Sequence, residues 1–124
     1  MIRLVVVDDH PALRRSLVGL LSMTDGLEVV GEAANGLDAI AQVQQLRPDV
    51  VLMDVTMPVL GGVEATRRLA AELPEVRVIG LSMHDPEHVG AAMRAAGAAA
   101  YVCKDAPPAT LLGAIRGVGP APAP

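Results

Sequence analysis

Two apolar runs in this 124-residue chain end in carboxylates: Val5-Val6-Val7 leads into Asp8-Asp9, and Val50-Val51-Leu52-Met53 leads into Asp54. Ser82 follows Val78-Ile79-Gly80-Leu81, and Lys104 follows Tyr101-Val102-Cys103. Three acids, a hydroxyl and a mobile ammonium form a coherent set if they share one place. Carboxylates about 5 Å apart at an effective dielectric of about 20 repel by about 3 kcal/mol per pair, so three cost roughly 10 kcal/mol unless offset. A hard divalent cation offsets them. Oxygen-only ligands, few of them from protein, suit Mg²⁺ better than a Ca²⁺ cage. Metal and ammonium neutralise a transferring phosphoryl group, the hydroxyl donates to it, and a carboxylate attacks in line. The set holds no Ser-His pair, general base or thiolate for other hydrolase chemistry.

The elements decide whether these residues meet. IRLVVV (2–7) reads as a strand, and Pro11 suits the first turn of a helix carrying Leu13, Leu17, Leu20 and Leu21. LEVVGEA (27–33) is a second strand. Asn35-Gly36 resembles a hairpin turn, but Leu37, Ile40, Val43 and Leu46 recur three apart, so Asn35 reads as a helix cap. DVVLM (49–53) is a third strand, continuously apolar as in a parallel sheet buried on both faces. A loop with Pro58 and Gly61-Gly62 precedes a helix bearing Val63, Thr66, Leu69 and Leu73. VRVIGLS (76–82) is the fourth strand, Asp85-Pro86 caps a helix to Ala96, AAAYVC (98–103) is the fifth strand, and Pro107-Pro108 opens a last helix.

Alternation of this kind implies a doubly wound α/β domain with a parallel sheet. Ligands of such sheets lie outside the carboxyl ends of the strands. Asp8, Asp9, Asp54, Ser82 and Lys104 all fall at strand ends, so they are expected at one rim. Each has an ordinary reading when taken singly: Asp8 or Asp9 faces a helix N-terminus, Asp54 is a loop acid, Ser82 a turn residue and Lys104 a solvated lysine. The functional reading rests on four strands delivering role-matched groups together.

Composition agrees. With no Phe or Trp, the core must be built from aliphatic and methionine side chains. A net charge of −4 argues against a nucleic-acid surface on this chain. The N-terminal apolar run is too short for a signal peptide, and no run reaches membrane-spanning length. A lone cysteine, Cys103, rules out an internal disulfide and fits a reducing cytoplasm. The chain ends in GPAPAP, a linker-like tail that suggests a longer protein cut at this point.

Asp8-Asp9, MDVTMPVLGG (53–62), LSMHD (81–85) and YVCKDA (101–106), in that order, resemble the receiver domain of bacterial two-component response regulators. The opening DDHP and the KDA segment are similar to the NarL/FixJ subgroup, whose receivers precede a LuxR-type helix-turn-helix domain. The resemblance spans residues 1–118, with 119–124 as the start of a linker. It implies a flavodoxin-like (βα)5 fold with strand order 2-1-3-4-5. It further implies that Asp54 accepts a phosphoryl group from a sensor histidine kinase. Mg²⁺ would be ligated by Asp9, Asp54 and the Thr56 backbone carbonyl, with Asp8 acting through water. Lys104 would contact the phosphoryl group, Ser82 would hydrogen-bond it after a loop shift, and Tyr101 would be the switch aromatic. Thr56 and His84 occupy positions that tune dephosphorylation. The partner at the C-terminus would be the chain's own DNA-binding domain. Whether phosphorylation drives homodimerisation or unmasks that domain is left open.

Some residues depart from the family's common pattern. Asp105 follows Lys104 where many receivers have a proline after a cis bond, Gly61 replaces a polar loop residue, and AAMRAAGAAA (91–100) is small-sided for an output surface. His10 borders the acidic pocket as a cap-region residue, and His84 with His88 imitates a helical metal pair that Pro86 disrupts. Three functions compete: a phosphorylation switch that modifies itself without being a turnover enzyme, a Mg²⁺-dependent phosphohydrolase with Asp54 as nucleophile, and a pseudo-receiver that binds partners unphosphorylated.

Overall fold

The computed structural model describes residues 1–83 and 86–119. Its elements alternate in the order β1 (Ile2–Val7), α1 (Pro11–Ser22), β2 (Leu27–Ala33), α2 (Gly36–Leu46), β3 (Val50–Asp54), α3 (Gly62–Glu72), β4 (Arg77–Ser82), α4 (Ala91–Ala95), β5 (Ala100–Cys103) and α5 (Pro108–Val118). The strands form one parallel sheet ordered β2-β1-β3-β4-β5. This is the order expected from the resemblance.

Alternate strand residues point to opposite faces, and both faces are covered. Val5, Val7, Val51 and Met53 pack with Ala39 and Val43 of α2, Leu69 of α3 and Met93 of α4. Leu4, Val6, Leu52 and Ile79 pack on the other side with Leu21 of α1 and with Leu111 and Ile115 of α5. That double burial is why Val50–Asp54 is buried at every position. Among the described residues no helix is long and apolar enough to cross a membrane.

Helix boundaries follow local chemistry. Asn35 accepts the Asp38 N–H at 2.9 Å, which makes it the cap of α2 and rules out the hairpin. At the other end Arg47 adopts the left-handed conformation (φ 49°) before Pro48. Several strands begin later than the apolar patterning implies. Asp49 stands just outside β3, where its carboxylate accepts the Arg3 N–H at 2.8 Å, and β3 extends to Asp54 instead. Residues 98 and 99 belong to the turn after Gly97 (φ 114°), so β5 starts only at Ala100.

The helix expected from Asp85-Pro86 is not α-helical from its start. Pro86–Gly90 forms a π turn that passes into α4. Gly90 is buried there, and a Cβ on it would lie 3.2 Å from Tyr101 Cδ2. The absence of a side chain therefore lets this wide turn rest on the tyrosine ring. His84 and Asp85, with the cap, tuning and metal-pair readings attached to them, lie outside the described residues. No cis peptide occurs among those described, so the Lys104–Asp105 bond is trans.

Candidate functional site

The carboxyl ends of β1, β3, β4 and β5 meet at one rim. Asp8 follows β1, and its N–H donates to the Ala33 carbonyl of β2 at 3.1 Å. The chain then turns sharply. The His10 N–H donates to Asp8 Oδ1 at 2.9 Å, His10 takes the N-cap position of α1, and Pro11 starts the helix. Asp54 is the last residue of β3 and pairs with Leu81 of β4. The Lys104 N–H donates to the Ser82 carbonyl at 2.9 Å, which carries the β4–β5 ladder one residue past the strand end. That bond fixes where the lysine side chain departs.

Lys104 Nζ lies 2.9 Å from Asp8 Oδ2 and 3.1 Å from Asp54 Oδ1. The ammonium is buried and bridges two carboxylates, so it is pinned and not the mobile charge that the sequence suggests. Asp8 is 1% exposed and Asp54 3%, and Ser82 is buried beside them. Asp9 is partly exposed. A cavity of about 360 Å³ is lined by Asp9, His10, Asp54, Thr56, Ser82, Met83 and Lys104. Asp8 lies beneath it, against the lysine.

The electrostatics are uneven. Burial pushes the Asp54 carboxyl up, Lys104 pulls it down, and the Asp8 and Asp9 carboxylates push the same way as burial; the result is a pKa of about 6. Burial also acts to raise Asp8, but the His10 N–H and Lys104 outweigh it and hold that carboxyl below its usual range. For Lys104, burial opposes the charge while Asp8 and Asp54 overcome it, so the ammonium is retained more firmly than usual. Asp8 and Lys104 thus form a fixed ion pair, and Asp54 is the carboxyl whose pKa is raised.

Two buried oxygens, Asp9 Oδ1 and Asp54 Oδ2, have no hydrogen-bond partner among the described residues. His10 Nδ1 comes within 3.1 Å of Asp9 Oδ1, an ion-pair separation without a hydrogen bond. Leaving carboxylate oxygens buried and unpaired is costly. Asp8, Asp9, His10 and Asp54 can each offer one donor atom within 4.8 Å of the others. A divalent cation fits this set, since it would satisfy both orphaned oxygens.

Of the residues singled out from the sequence, Asp8, Asp9, Asp54 and Lys104 converge, and Thr56 and Ser82 line the same cavity. Tyr101 does not. Its half-buried ring sits against the α3–α4 face, close to Gly80 and Gly90. Three contributions escaped the sequence reading. Arg14 donates to the Asp8 carbonyl at 2.6 Å and to Glu32 at 3.2 Å, bracing the turn after β1. One arginine a turn into a helix carries no motif signal. Met83 joins the cavity wall. Gly62 is packed so closely on β3 that a Cβ would collide with the Asp54 carbonyl oxygen, while its N–H donates to Val55 O at 2.8 Å. The glycine pair in the sequence signals a loop, but not this approach.

The sequence matches the response regulator receiver domain family over residues 4–116. It is 42% identical over 116 residues to the response regulator GacA of Pseudomonas viridiflava, covering 94% of this chain and 54% of that protein. It is also 42% identical over 118 residues to the response regulator UvrY of Escherichia coli K12, with 95% and 54% covered. The chain therefore spans about half the length of these curated relatives. Among solved structures it is similar to a LuxR-family two-component response regulator from Aurantimonas sp. SI85-9A1, with TM-score 0.91, 36% identity, and 95% and 84% of the two chains covered. The signal receiver domain of NarL from Mycobacterium tuberculosis matches with TM-score 0.83, 33% identity, and 91% and 95% covered.

Proposed function

The chain belongs to the response regulator receiver domains, and from that premise we propose that Asp54 is its phosphoacceptor. The observation that carries this reading is the asymmetry of the Asp54 carboxylate. Oδ1 is held by Lys104, while Oδ2 is buried without a hydrogen-bond partner among the described residues, and Asp54 lines the cavity. In the reaction an Asp54 carboxylate oxygen attacks the phosphorus of a kinase phosphohistidine, the O–P bond forms as the N–P bond breaks, and the electron pair leaves with the imidazole. Lys104 neutralises charge on the phosphoryl group, and Asp8 keeps the ammonium in place. Asp9, Asp54 and the Thr56 carbonyl would hold Mg²⁺, with Asp8 acting through water, and the ion would supply charge that shields the phosphoryl oxygens from the acids around them. Burial of the carboxylate matters because electrostatic contacts gain strength where water is excluded.

Once Asp54 is phosphorylated, the Ser82 hydroxyl hydrogen-bonds the phosphoryl group and Tyr101 changes its packing. These shifts bias the surface of α4, β5 and α5 between two states. Thr56 and His84 set how fast the acyl phosphate hydrolyses. Residues 1–118 act as the receiver, a cytoplasmic switch that modifies itself and does not turn over substrate. Its partners are a sensor histidine kinase and a DNA-binding domain C-terminal to it, through which it controls transcription by dimerising or by unmasking that domain.

Intact mass after incubation with Mg²⁺ and acetyl phosphate tests the reading. One added phosphoryl group, absent in Asp54→Asn, is expected. Sustained multiple-turnover phosphate release with no trapped adduct would instead identify a phosphohydrolase, and neither adduct nor release would identify a pseudo-receiver.

A further inference from the structure

We propose that Met83 is an oxidation site through which peroxide regulates the domain: its sulfoxide shortens the lifetime of the phosphoryl group on Asp54. The inference rests on reading Asp54 as the phosphoacceptor, and it adds a redox control to that reading. Of the six methionines, Met53 and Met93 are fully buried, Met57 is half-buried, and Met1, Met23 and Met83 are exposed. Met1 precedes β1 and Met23 caps the end of α1, so both lie at the amino ends of the strands, away from the rim. Met83 is 63% exposed and lines the cavity with Asp54, Ser82 and Lys104, where it alone of the described lining residues carries sulfur. Peroxide can reach this thioether, and a change of its polarity is felt at the site.

The backbone ties Met83 to the step that secures the phosphoryl group. Ser82 ends β4 and is buried, its carbonyl accepts the Lys104 N–H at 2.9 Å, and Met83 is the next residue. A shift of Ser82 toward a phosphoryl group therefore carries Met83 from solvent toward the cavity mouth. A thioether favours that move, because it takes apolar surface out of water. A sulfoxide opposes it, because its polar S–O group must give up hydrogen bonds to water. In the oxidation a sulfur lone pair attacks one oxygen of hydrogen peroxide, the S–O bond forms as the O–O bond breaks, and hydroxide leaves. Hydroxide then takes the proton from the new S–OH group, so sulfur loses two electrons and the peroxide ends as water. The oxidised domain still accepts the phosphoryl group, since Asp54 and Lys104 are unaltered. The Ser82 hydrogen bond to that group forms less often, and water reaches the acyl phosphate.

The test is carried out in Cys103→Ala protein, so that the thiol does not react. Hydrogen peroxide is applied until peptide mass shows an added oxygen on Met83, acetyl phosphate and Mg²⁺ then load Asp54, and decay of the adduct is followed by intact mass after the donor is removed. Oxidation is expected to shorten the adduct lifetime about 3-fold or more, as loss of one hydrogen bond does. Met83→Leu, whose side chain peroxide does not oxidise, should decay equally before and after treatment, whereas Met23→Leu should show the full loss. Met83→Gln should decay faster than Met83→Leu without any peroxide, and methionine sulfoxide reductases should restore the lifetime of the oxidised protein. A lifetime unchanged by oxidation of Met83, a loss that persists in Met83→Leu, or a loss that the reductases do not reverse overturns the proposal. A normal adduct whose decay ignores oxidation sinks the redox control and leaves the phosphoacceptor standing, whereas no adduct in untreated protein sinks both.

Discussion

The charge balance at Asp54 has a measurable cost. Its pKa of about 6 in the folded domain exceeds the ordinary value of 3.8, so between those values the native state binds more protons than the unfolded chain. Stability in the absence of metal therefore falls as pH rises through that window and levels off above it, by about 3 kcal/mol in all. Asp8 acts in the opposite sense at lower pH, since its depressed pKa contributes stability that is lost on acidification. Urea unfolding in chelator across the pH range should show the decline between pH 4 and 6 in wild type and not in Asp54→Asn. Parallel curves for the two proteins would contradict this account of Asp54. Thr66 offers a second test at the same scale. Its side chain is fully buried in α3 and its hydroxyl has no partner among the described residues. Thr66→Val removes that unsatisfied group while keeping the shape, and is expected to raise unfolding free energy by about 1 kcal/mol.

At the scale of elements, the junction of β3 and α3 sets the position of Asp54. Gly61 and Gly62 look alike in the sequence but differ in the fold. A Cβ on Gly61 would meet only Val55 O, at 3.5 Å, whereas one on Gly62 would strike the backbone of Asp54. Gly61→Ala should therefore be tolerated within about 0.5 kcal/mol. Gly62→Ala should cost about 2 kcal/mol or more, because neither backbone can yield without moving the end of β3. Thermal unfolding of the two variants compares them, and equal losses would show that the close approach does not matter. The same loop contains Val59 in the left-handed region (φ 69°), a conformation that a β-branched residue rarely adopts. No sequence pattern announces it, because valine is a poor residue for the position and is kept there by the turn in which Leu60 N–H reaches Pro58 O at 2.8 Å.

For the whole molecule, cation binding at the acidic pocket would be linked to folding. The acids of the pocket come from β3 and from the segment after β1, and they converge only when the sheet is assembled. A cation that binds the folded state alone stabilises it by about 2.7 kcal/mol at a hundred times its dissociation constant. The melting temperature should therefore rise with Mg²⁺ concentration in wild type and much less in Asp9→Asn. A Mg²⁺-independent melting temperature in wild type would remove the cation from the picture.

Much of this was legible in the letters. The strand–helix alternation, the burial of the VVLM run on both faces and the placement of Asp8, Asp9, Asp54, Ser82 and Lys104 at strand ends follow from periodicity and from the rule for parallel sheets, which are local and topological. The tertiary structure alone decided that Lys104 is clamped between two acids, that the His10 ring joins Asp8 and Asp9, that Arg14 braces the turn, and that α4 begins as a π turn against Tyr101. The physical reason is one of range. Apolar patterning fixes which face of an element is buried, whereas a charge is settled by whichever partners lie within a few ångströms, and those arrive from segments as far apart as residues 8 and 104.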